Sequence, residues 1–283
     1  LNRNGTNTYS DSLISFNFKG RYKIQYVIES QEKLKKIIDS GDYEIRFTCG
    51  PFLNKIVRKI LEFNWVDIEY EYYSQLEGLY KAIEIARYER EKENAYKNLK
   101  SLNSCFEYLK EKLVVYLSTI KTNDKKTPAI EQQLKEITAK VHPEVGENLL
   151  IINFNYTSLI HNYYSEIKLI GSEIIDIHGS IENTENPIIF GYGDEMDEYY
   201  AKIERLNENE FLKNFKSFSY FYTKNYRKIL SFISGEIDYD VYILGHSCGI
   251  SDRILLNNLF DSDRCKNIHI LYHKREDGTN DFF

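Results

Sequence analysis

Hydrophobic residues recur at helical spacing through most of the first half of the chain. Pro51 precedes apolar residues at every third or fourth position, and the pattern resumes from Trp65 to Ile120 without a proline. A further amphipathic stretch runs from Pro128 to about His142. Because an apolar stripe with a period near 3.6 residues is typical of a helix with one buried face, we expect a helix after Pro51, one or two long helices in the middle stretch, and another helix after Pro128.

Two shorter helical patterns lie nearer the start of the chain. The first, Tyr9–Phe18, is compatible with a short helix. The second, Ser30–Ser40, begins at a serine suited to an N-cap and is followed by Gly41, a residue type that often ends helices. Both are predicted as helices.

After Gly146 the pattern changes to short, uninterrupted apolar runs. The first run, Leu149–Ile152, is typical of a strand buried on both faces. Short apolar strands that alternate with helices form parallel β-α-β units, so the pattern predicts an α/β fold whose parallel sheet is covered by helices. The remaining strands are predicted at 174–177, 187–190, 241–244 and 268–272, and the helices at 209–234 and 251–260.

The switch in pattern divides the chain into three predicted segments. Residues 1–48 begin the α/β domain, residues 49–145 form a large helical insertion, and residues 146–283 complete the α/β domain. The chain opens at Leu1 and contains one methionine, Met196. We therefore expect that it lacks its natural start and is a fragment or a processed form.

The net charge and the cysteine content narrow the range of protein classes to which the chain can belong. The net charge of −6 gives no overall basic field and argues against a nucleic-acid partner. No apolar run approaches the roughly 18–20 residues that cross a bilayer, and the polar opening residues contain no apolar core of a signal peptide. The four cysteines show neither a CxxC pair nor the spacing of a disulfide framework. We expect a cytoplasmic protein without a membrane partner.

Three polar loops follow predicted strands, where ligands bind in parallel sheets. The first contains Asn153, Asn155 and Thr157. Their side chains can hydrogen-bond a ribose or an amide, but residues of these types cap helices more commonly. Both interpretations stay open on sequence alone.

The second loop contains His178 and Gly179 at the end of a short strand. Histidine is suited to proton transfer near neutral pH, and a glycine lets a ligand approach the backbone closely. The alternative is a histidine that hydrogen-bonds within its own loop.

The third loop, Gly245–Gly249, matches the G-x-S-x-G pattern of a hydrolase nucleophile elbow, with Ser247 as the nucleophile. The elbow also needs an acid and a histidine downstream, and few residues remain to supply them: Asp261 or Asp263 with His269 or His273. The alternative is a glycine turn that cradles a phosphate or ribose. His269 and His273 bracket a predicted strand without a third ligand, so no metal site is predicted.

Several segments match a known family in their order and spacing. They are Leu1–Phe16, Asn64–Glu69, Ile152–Thr157, Ile177–Ser180, Gly191–Gly193, and Tyr242–Ser247 followed by Ser251 and Asp252. In this order they resemble the AbiH family, bacterial proteins of abortive phage infection. The resemblance covers nearly the whole chain and places the family's opening strand and its Gly-Asn-Gly-Phe-Asp loop directly before Leu1.

AbiH proteins in turn resemble the sirtuin-type Rossmann domain, which implies a Rossmann-like fold that binds NAD. By this resemblance Asn155 contacts the nicotinamide ribose and His178 is a general base or binds the ribose. The implied NAD-binding residues are Asn153, Thr157, Gly179, Gly245, His246, Ser247 and Asp252. The chain departs from the sirtuin pattern at Thr157, where sirtuins have an acid, and it lacks the zinc-binding cysteines of deacetylating sirtuins. These departures argue against protein deacetylation.

The resemblance thus implies a phage-defence effector that binds a nicotinamide nucleotide and cleaves its glycosidic bond. A nucleotide-sensing module without catalysis and a serine hydrolase that uses Ser247 are the alternatives. The implied partners are a small nucleotide, with a second copy of the chain or a phage-derived trigger left open. Because the resemblance places the phosphate loop before Leu1, this chain by itself is expected to bind nucleotide weakly.

Overall fold

The chain forms two compact units, Leu1–Leu109 and Lys110–Phe283. The predicted segment boundaries after residues 48 and 145 stay a prediction, and the predicted helix Ser30–Ser40 lies outside the described residues. The computed structural model describes residues 14–18, 23–25, 43–47, 51–63, 66–120, 126–142, 148–163 and 172–272.

The first unit contains a small antiparallel sheet. Its strands β1 (Ile14–Phe18), β2 (Lys23–Gln25) and β3 (Tyr43–Phe47) lie in the order β2-β1-β3. Phe16 pairs with Ile24 on one side of β1 and with Ile45 on the other. The predicted helix Tyr9–Phe18 is therefore wrong from Ile14 onward, because apolar residues alternate there with a period of two, which is the period of a strand.

Three helices follow this sheet, as the hydrophobic spacing predicts. The break between the second and third helices is capped by Glu91, whose carboxylate accepts hydrogen bonds from the backbone N–H groups of Arg87 at 2.8 Å and Tyr88 at 3.2 Å. The long middle stretch is thus two helices. The helices are α1 (Pro51–Phe63), α2 (Ile68–Ile85) and α3 (Glu89–Thr119).

Aromatic side chains form the core of the first unit. The rings of Tyr72 and Phe106 lie 4.1 Å apart between their centroids, and both side chains are fully buried. The Tyr72 hydroxyl donates a 2.7 Å hydrogen bond to Oδ1 of Asn103, so its one polar group is satisfied inside the core. Tyrosine and phenylalanine side chains therefore form the core of this unit.

Two pairs of parallel strands organise the second unit. β4 (Leu150–Asn153) pairs with β5 (Glu173–Asp176), and β6 (Tyr239–Leu244) pairs with β7 (Cys265–Leu271). Each strand lies on one of the predicted apolar runs. The parallel pairing that the alternation of strands and helices predicts is therefore confirmed within each pair. The helix α4 (Pro128–Thr138) precedes β4.

The prediction of one continuous sheet is wrong for the described residues, since β4 and β6 belong to separate two-stranded sheets. A Rossmann-like arrangement is likewise not confirmed. An apolar run indicates that a strand is buried, but it does not specify which other strand pairs with it. Instead of a shared ladder, the two pairs share a core: Ile152 of β4, Ile175 of β5 and Tyr239 of β6 pack in one apolar cluster with Ile229 and Leu255.

Two further predictions in this unit need correction. The helix predicted over 209–234 is interrupted because the backbone of Asn214 and Lys216 hydrogen-bonds Tyr192 instead of its own turn. The strand predicted at 187–190 has no ladder, since Pro187 has no N–H to donate, although Ile189 donates to the His178 carbonyl at 2.8 Å. The observed helices are α5 (Glu198–Leu206), α6 (Asn209–Leu212), α7 (Lys216–Ser219), α8 (Asn225–Ile233) and α9 (Arg253–Phe260).

No helix in the described ranges combines the length and the apolar composition that a membrane crossing requires.

Candidate functional site

The loops after three strands meet around one imidazole. His178 follows β5 and is only 4% exposed. Phe154, directly after β4, packs edge-on against the His178 ring at 5.2 Å and against the ring of His246, after β6, at 4.1 Å. The Tyr220 ring is nearly parallel to the His178 ring, with their centroids 6.4 Å apart. The structure thus brings the loops after β4, β5 and β6 together.

A buried carboxylate connects these loops. Oδ1 of Asp252 accepts from Nζ of Lys216 at 2.7 Å and lies 3.1 Å from Nε2 of His178. Its other oxygen, Oδ2, lies 3.4 Å from Nε2 of His246. These four residues, named the Asp252 cluster below, come from four separate segments of the chain. The cluster ties the short helix α7 and the start of α9 to the strand ends.

The cluster keeps Asp252 ionised. Burial by itself raises the pKa of this carboxyl, but the hydrogen bonds from His178 and His246 and the positive charge of Lys216 outweigh burial and hold the pKa well below its usual range. Lys216 is 1% exposed, so its charge is balanced by Asp252 rather than by water. The site therefore presents a permanent buried anion beside two imidazoles.

His246 has both ring nitrogens engaged. Its Nδ1 accepts a 3.0 Å hydrogen bond from the backbone N–H of Cys248, and its Nε2 faces Asp252. Because a carboxylate only accepts, the proton of the neutral ring lies on Nε2. The tautomer of His246 is thus fixed by its contacts, and this residue orients the Gly245–Gly249 turn toward Asp252.

Asn153, at the end of β4, and Asn155, two residues later, form hydrogen bonds within their own loop. Oδ1 of Asn153 accepts from the Asn155 backbone N–H at 3.1 Å, and its Nδ2 donates to Oδ1 of Asp176 at 2.7 Å and to the Thr157 carbonyl at 3.3 Å. Asn153 is therefore buried and satisfied within the protein. Asn155 is exposed; its Nδ2 donates to Oδ1 of Asn153 at 3.3 Å, and its side chain faces solvent where a ligand can reach it.

The two glycines of the predicted site differ in their surroundings. Gly179 has a φ of +76°, and an added Cβ would lie 2.1 Å from the Pro187 carbonyl oxygen, so the chain itself occupies the space. Gly245 has a φ of +65° with no described atom within 4 Å of its Cβ position. Only the Gly245 turn leaves room for a ligand to approach the backbone.

The nucleophile elbow finds no support in the local geometry. An elbow holds its nucleophile on a strained turn, but the positive φ values in this loop belong to Gly245 (+65°) and Cys248 (+53°) and not to Ser247. In the described ranges no histidine hydrogen-bonds the Ser247 hydroxyl, and the nominated His269 instead stacks on Tyr242 at 4.5 Å. Burial and the nearby Asp252 raise the pKa of the Cys248 thiol, which disfavours a thiolate nucleophile.

Several residues that the structure places in or beside the site could not be recognised from the sequence. Lys216 and Tyr220 lie in a region read as one helix, where a lysine is expected to face solvent. Tyr220 places its hydroxyl 3.2 Å from Nε2 of His178. Asp176 pairs with His161, and Asp194 is held by Arg253 through contacts of 3.1 Å to both carboxylate oxygens. The only signal for them is position after a strand or turn.

No group of three or more histidine, cysteine, aspartate or glutamate side chains that could hold a metal ion occurs among the residues that the structure describes. Asp252, although it contacts two histidines, takes a lysine as its remaining partner. A lysine ammonium competes with a metal for the same oxygens. The site is built for hydrogen bonding and charge rather than for coordination.

Comparisons with known proteins identify the family. No curated protein and no solved structure matches the chain. The family model described as "Bacteriophage abortive infection AbiH" matches residues 19–274, which include the described helices, the described strands other than β1, and the whole Asp252 cluster. A match over most of the chain is sufficient for assignment: the chain belongs to the AbiH family of bacteriophage abortive infection proteins.

Proposed function

We propose that this AbiH protein is an abortive-infection effector that binds a nicotinamide nucleotide at the strand ends and hydrolyses its N-glycosidic bond. The family supplies the role in abortive infection. The observation that carries the rest is the meeting of three strand-end loops at Phe154, His178 and His246, since parallel strands place ligand sites at their carboxyl ends.

The electrostatics of the cluster fit this reaction. When nicotinamide departs, positive charge develops on the ribose, and preorganised negative charge and dipoles stabilise such a state. Asp252 supplies an ionised carboxylate that is already buried, and the rings of Phe154 and Tyr156 pack against the same imidazole. The exposed amide of Asn155 is the group we assign to the ribose hydroxyls.

A second candidate function is ligand sensing without turnover. The burial of His178 and the saturation of Asp252 by three partners favour it, because a fully satisfied polar network specifies structure as readily as it performs chemistry. In that case the loops bind a nucleotide and pass the signal to a partner.

Release of nicotinamide from NAD by the purified full-length protein tests the proposal. Asn155→Ala should lower the rate by about 10²-fold or more while leaving thermal stability unchanged, because its side chain is exposed. Asn267→Ala is the matched control, since this exposed asparagine contacts Asp240 away from the loops and should keep the wild-type rate. NAD binding without nicotinamide release favours the sensing function, and neither binding nor release refutes the proposal.

A further inference from the structure

We propose that His161, rather than His178, accepts the proton from the water that attacks the ribose. This inference rests on the proposed function and names the base of that reaction. The sequence analysis did not select His161, which lies in the 3-10 turn Leu159–Tyr163 just after the Asn155 loop. In the structure, the imidazole of His161 contacts the carboxylate of Asp176, and this contact is the basis of the assignment.

His161 and Asp176 form an aspartate–histidine pair at the end of β5. Nε2 of His161 lies 3.0 Å from Oδ2 and 3.2 Å from Oδ1 of Asp176. The carboxylate is itself held in place, because Oδ1 accepts from Nδ2 of Asn153 at 2.7 Å. The carbonyl of Asp176 also accepts from the side-chain amides of Asn186 at 2.8 Å and Asn225 at 3.1 Å. The partner of the imidazole is therefore fixed by three neighbouring segments.

This contact determines which nitrogen of His161 can act as a base. Since the Asp176 carboxylate only accepts, the proton of the neutral ring lies on Nε2 and the lone pair lies on Nδ1. Among the described residues, no group hydrogen-bonds Nδ1, and the His161 side chain is 40% exposed. A carboxylate that orients the imidazole and fixes its tautomer is the arrangement of a general base.

The other two histidines of the site are less suited to this role. His178 is 4% exposed, and its Nε2 already faces both Asp252 and Tyr220. His246 has both nitrogens in contact with its own turn or with Asp252. We therefore assign them to positioning the loops.

Asn153 connects the pair to the predicted ribose contact. Its Oδ1 accepts from the backbone N–H of Asn155, while its Nδ2 donates to Asp176. One buried amide thus holds both the residue assigned to the ribose and the carboxylate that orients the base. This places water activation and ribose binding in a single hydrogen-bonded network.

The proton balance of the step is simple. The water oxygen forms a bond to C1′ of the ribose while the bond from C1′ to the nicotinamide nitrogen breaks, and its electron pair stays on that nitrogen. The water proton passes to Nδ1 of His161, and the imidazolium lies beside the Asp176 carboxylate. The products from NAD are nicotinamide, ADP-ribose and a proton, which His161 returns to solvent.

Kinetics of the full-length protein with NAD test the assignment. His161→Ala should lower the rate of nicotinamide release by about 10²–10⁴-fold, and added imidazole should restore part of that rate, which a purely structural role would not allow. His269→Ala is the matched control: its side chain is 43% exposed and its Nε2 faces Asp240 at 3.6 Å, yet it lies on β7 away from the loops. It should keep the wild-type rate.

A chemical readout supports the kinetics without depending on turnover. Diethyl pyrocarbonate acylates unprotonated imidazole nitrogens, so His161 should react, and NAD should protect it while leaving His269 reactive. If wild type releases nicotinamide and His161→Ala does so at the same rate, the His161 assignment is wrong and the proposed function stands. If wild type releases none, the proposed function is wrong, and the assignment falls with it.

Discussion

Replacing Lys216 with methionine should be among the most destabilising single changes in the second unit. The ammonium group is 1% exposed and donates to Asp252 at 2.7 Å, so the substitution leaves a buried carboxylate without its closest cation. Removing one partner of a buried ion pair typically costs about 3–5 kcal/mol. Methionine preserves the length of the side chain, so little of this loss should come from a cavity.

Urea unfolding followed by circular dichroism measures the effect. The matched control is Lys228→Met, because the ion pair of Lys228 with Glu173 is half exposed and such pairs contribute no more than about 1 kcal/mol. The double variant Lys216→Met with Asp252→Asn should be more stable than Lys216→Met alone, since it removes the stranded charge. A cost of less than about 1 kcal/mol for Lys216→Met would refute the view that this pair is buried and coupled.

Two further predictions concern pH and backbone conformation. The pKa of Asp252 is depressed in the folded protein. The contribution of this carboxylate to stability is therefore present above its ordinary pKa of 3.8 and is lost as pH falls below that value. Asp252→Asn should remove this part of the acid dependence of the free energy of unfolding. Gly179→Ala should destabilise the protein by more than about 2 kcal/mol in the same urea assay, because a positive φ and a clash with the Pro187 carbonyl act together. Gly245→Ala should cost only about 1–2 kcal/mol, because at this position only the positive φ opposes the alanine. Equal losses for the two glycine variants would contradict this account.

Hydrophobic periodicity predicted the local elements because it depends on residues close in sequence. The helix after Pro51, the two long helices and the strands at Leu150–Asn153 and Tyr239–Leu244 all follow from it. Strand pairing did not follow, because an apolar run carries no information about its neighbour. The break of the predicted 209–234 helix was also hidden, since it depends on hydrogen bonds to Tyr192.

The site could be predicted only in part for the same reason. Position after a strand selected His178, and the family resemblance added Asp252; the structure places the two side chains 3.1 Å apart. Position after a strand could not select Lys216, because a lysine in an amphipathic stretch normally faces water, and only the tertiary contact with Asp252 buries it. It also missed His161, whose significance depends on a carboxylate 15 residues away.

The long sequence separation within the Asp252 cluster has a consequence for protein synthesis. Asp252 follows Lys216 by 36 residues, and His178 is made earlier still, so during translation both partners exist before the carboxylate that contacts them. Contacts between distant residues form late in folding. A nascent chain that stalls before Asp252 has a lysine with no anion to accompany it into the core, and cellular proteases remove such incompletely folded chains. This order of synthesis delays assembly of the Asp252 cluster until the chain is made through Asp252.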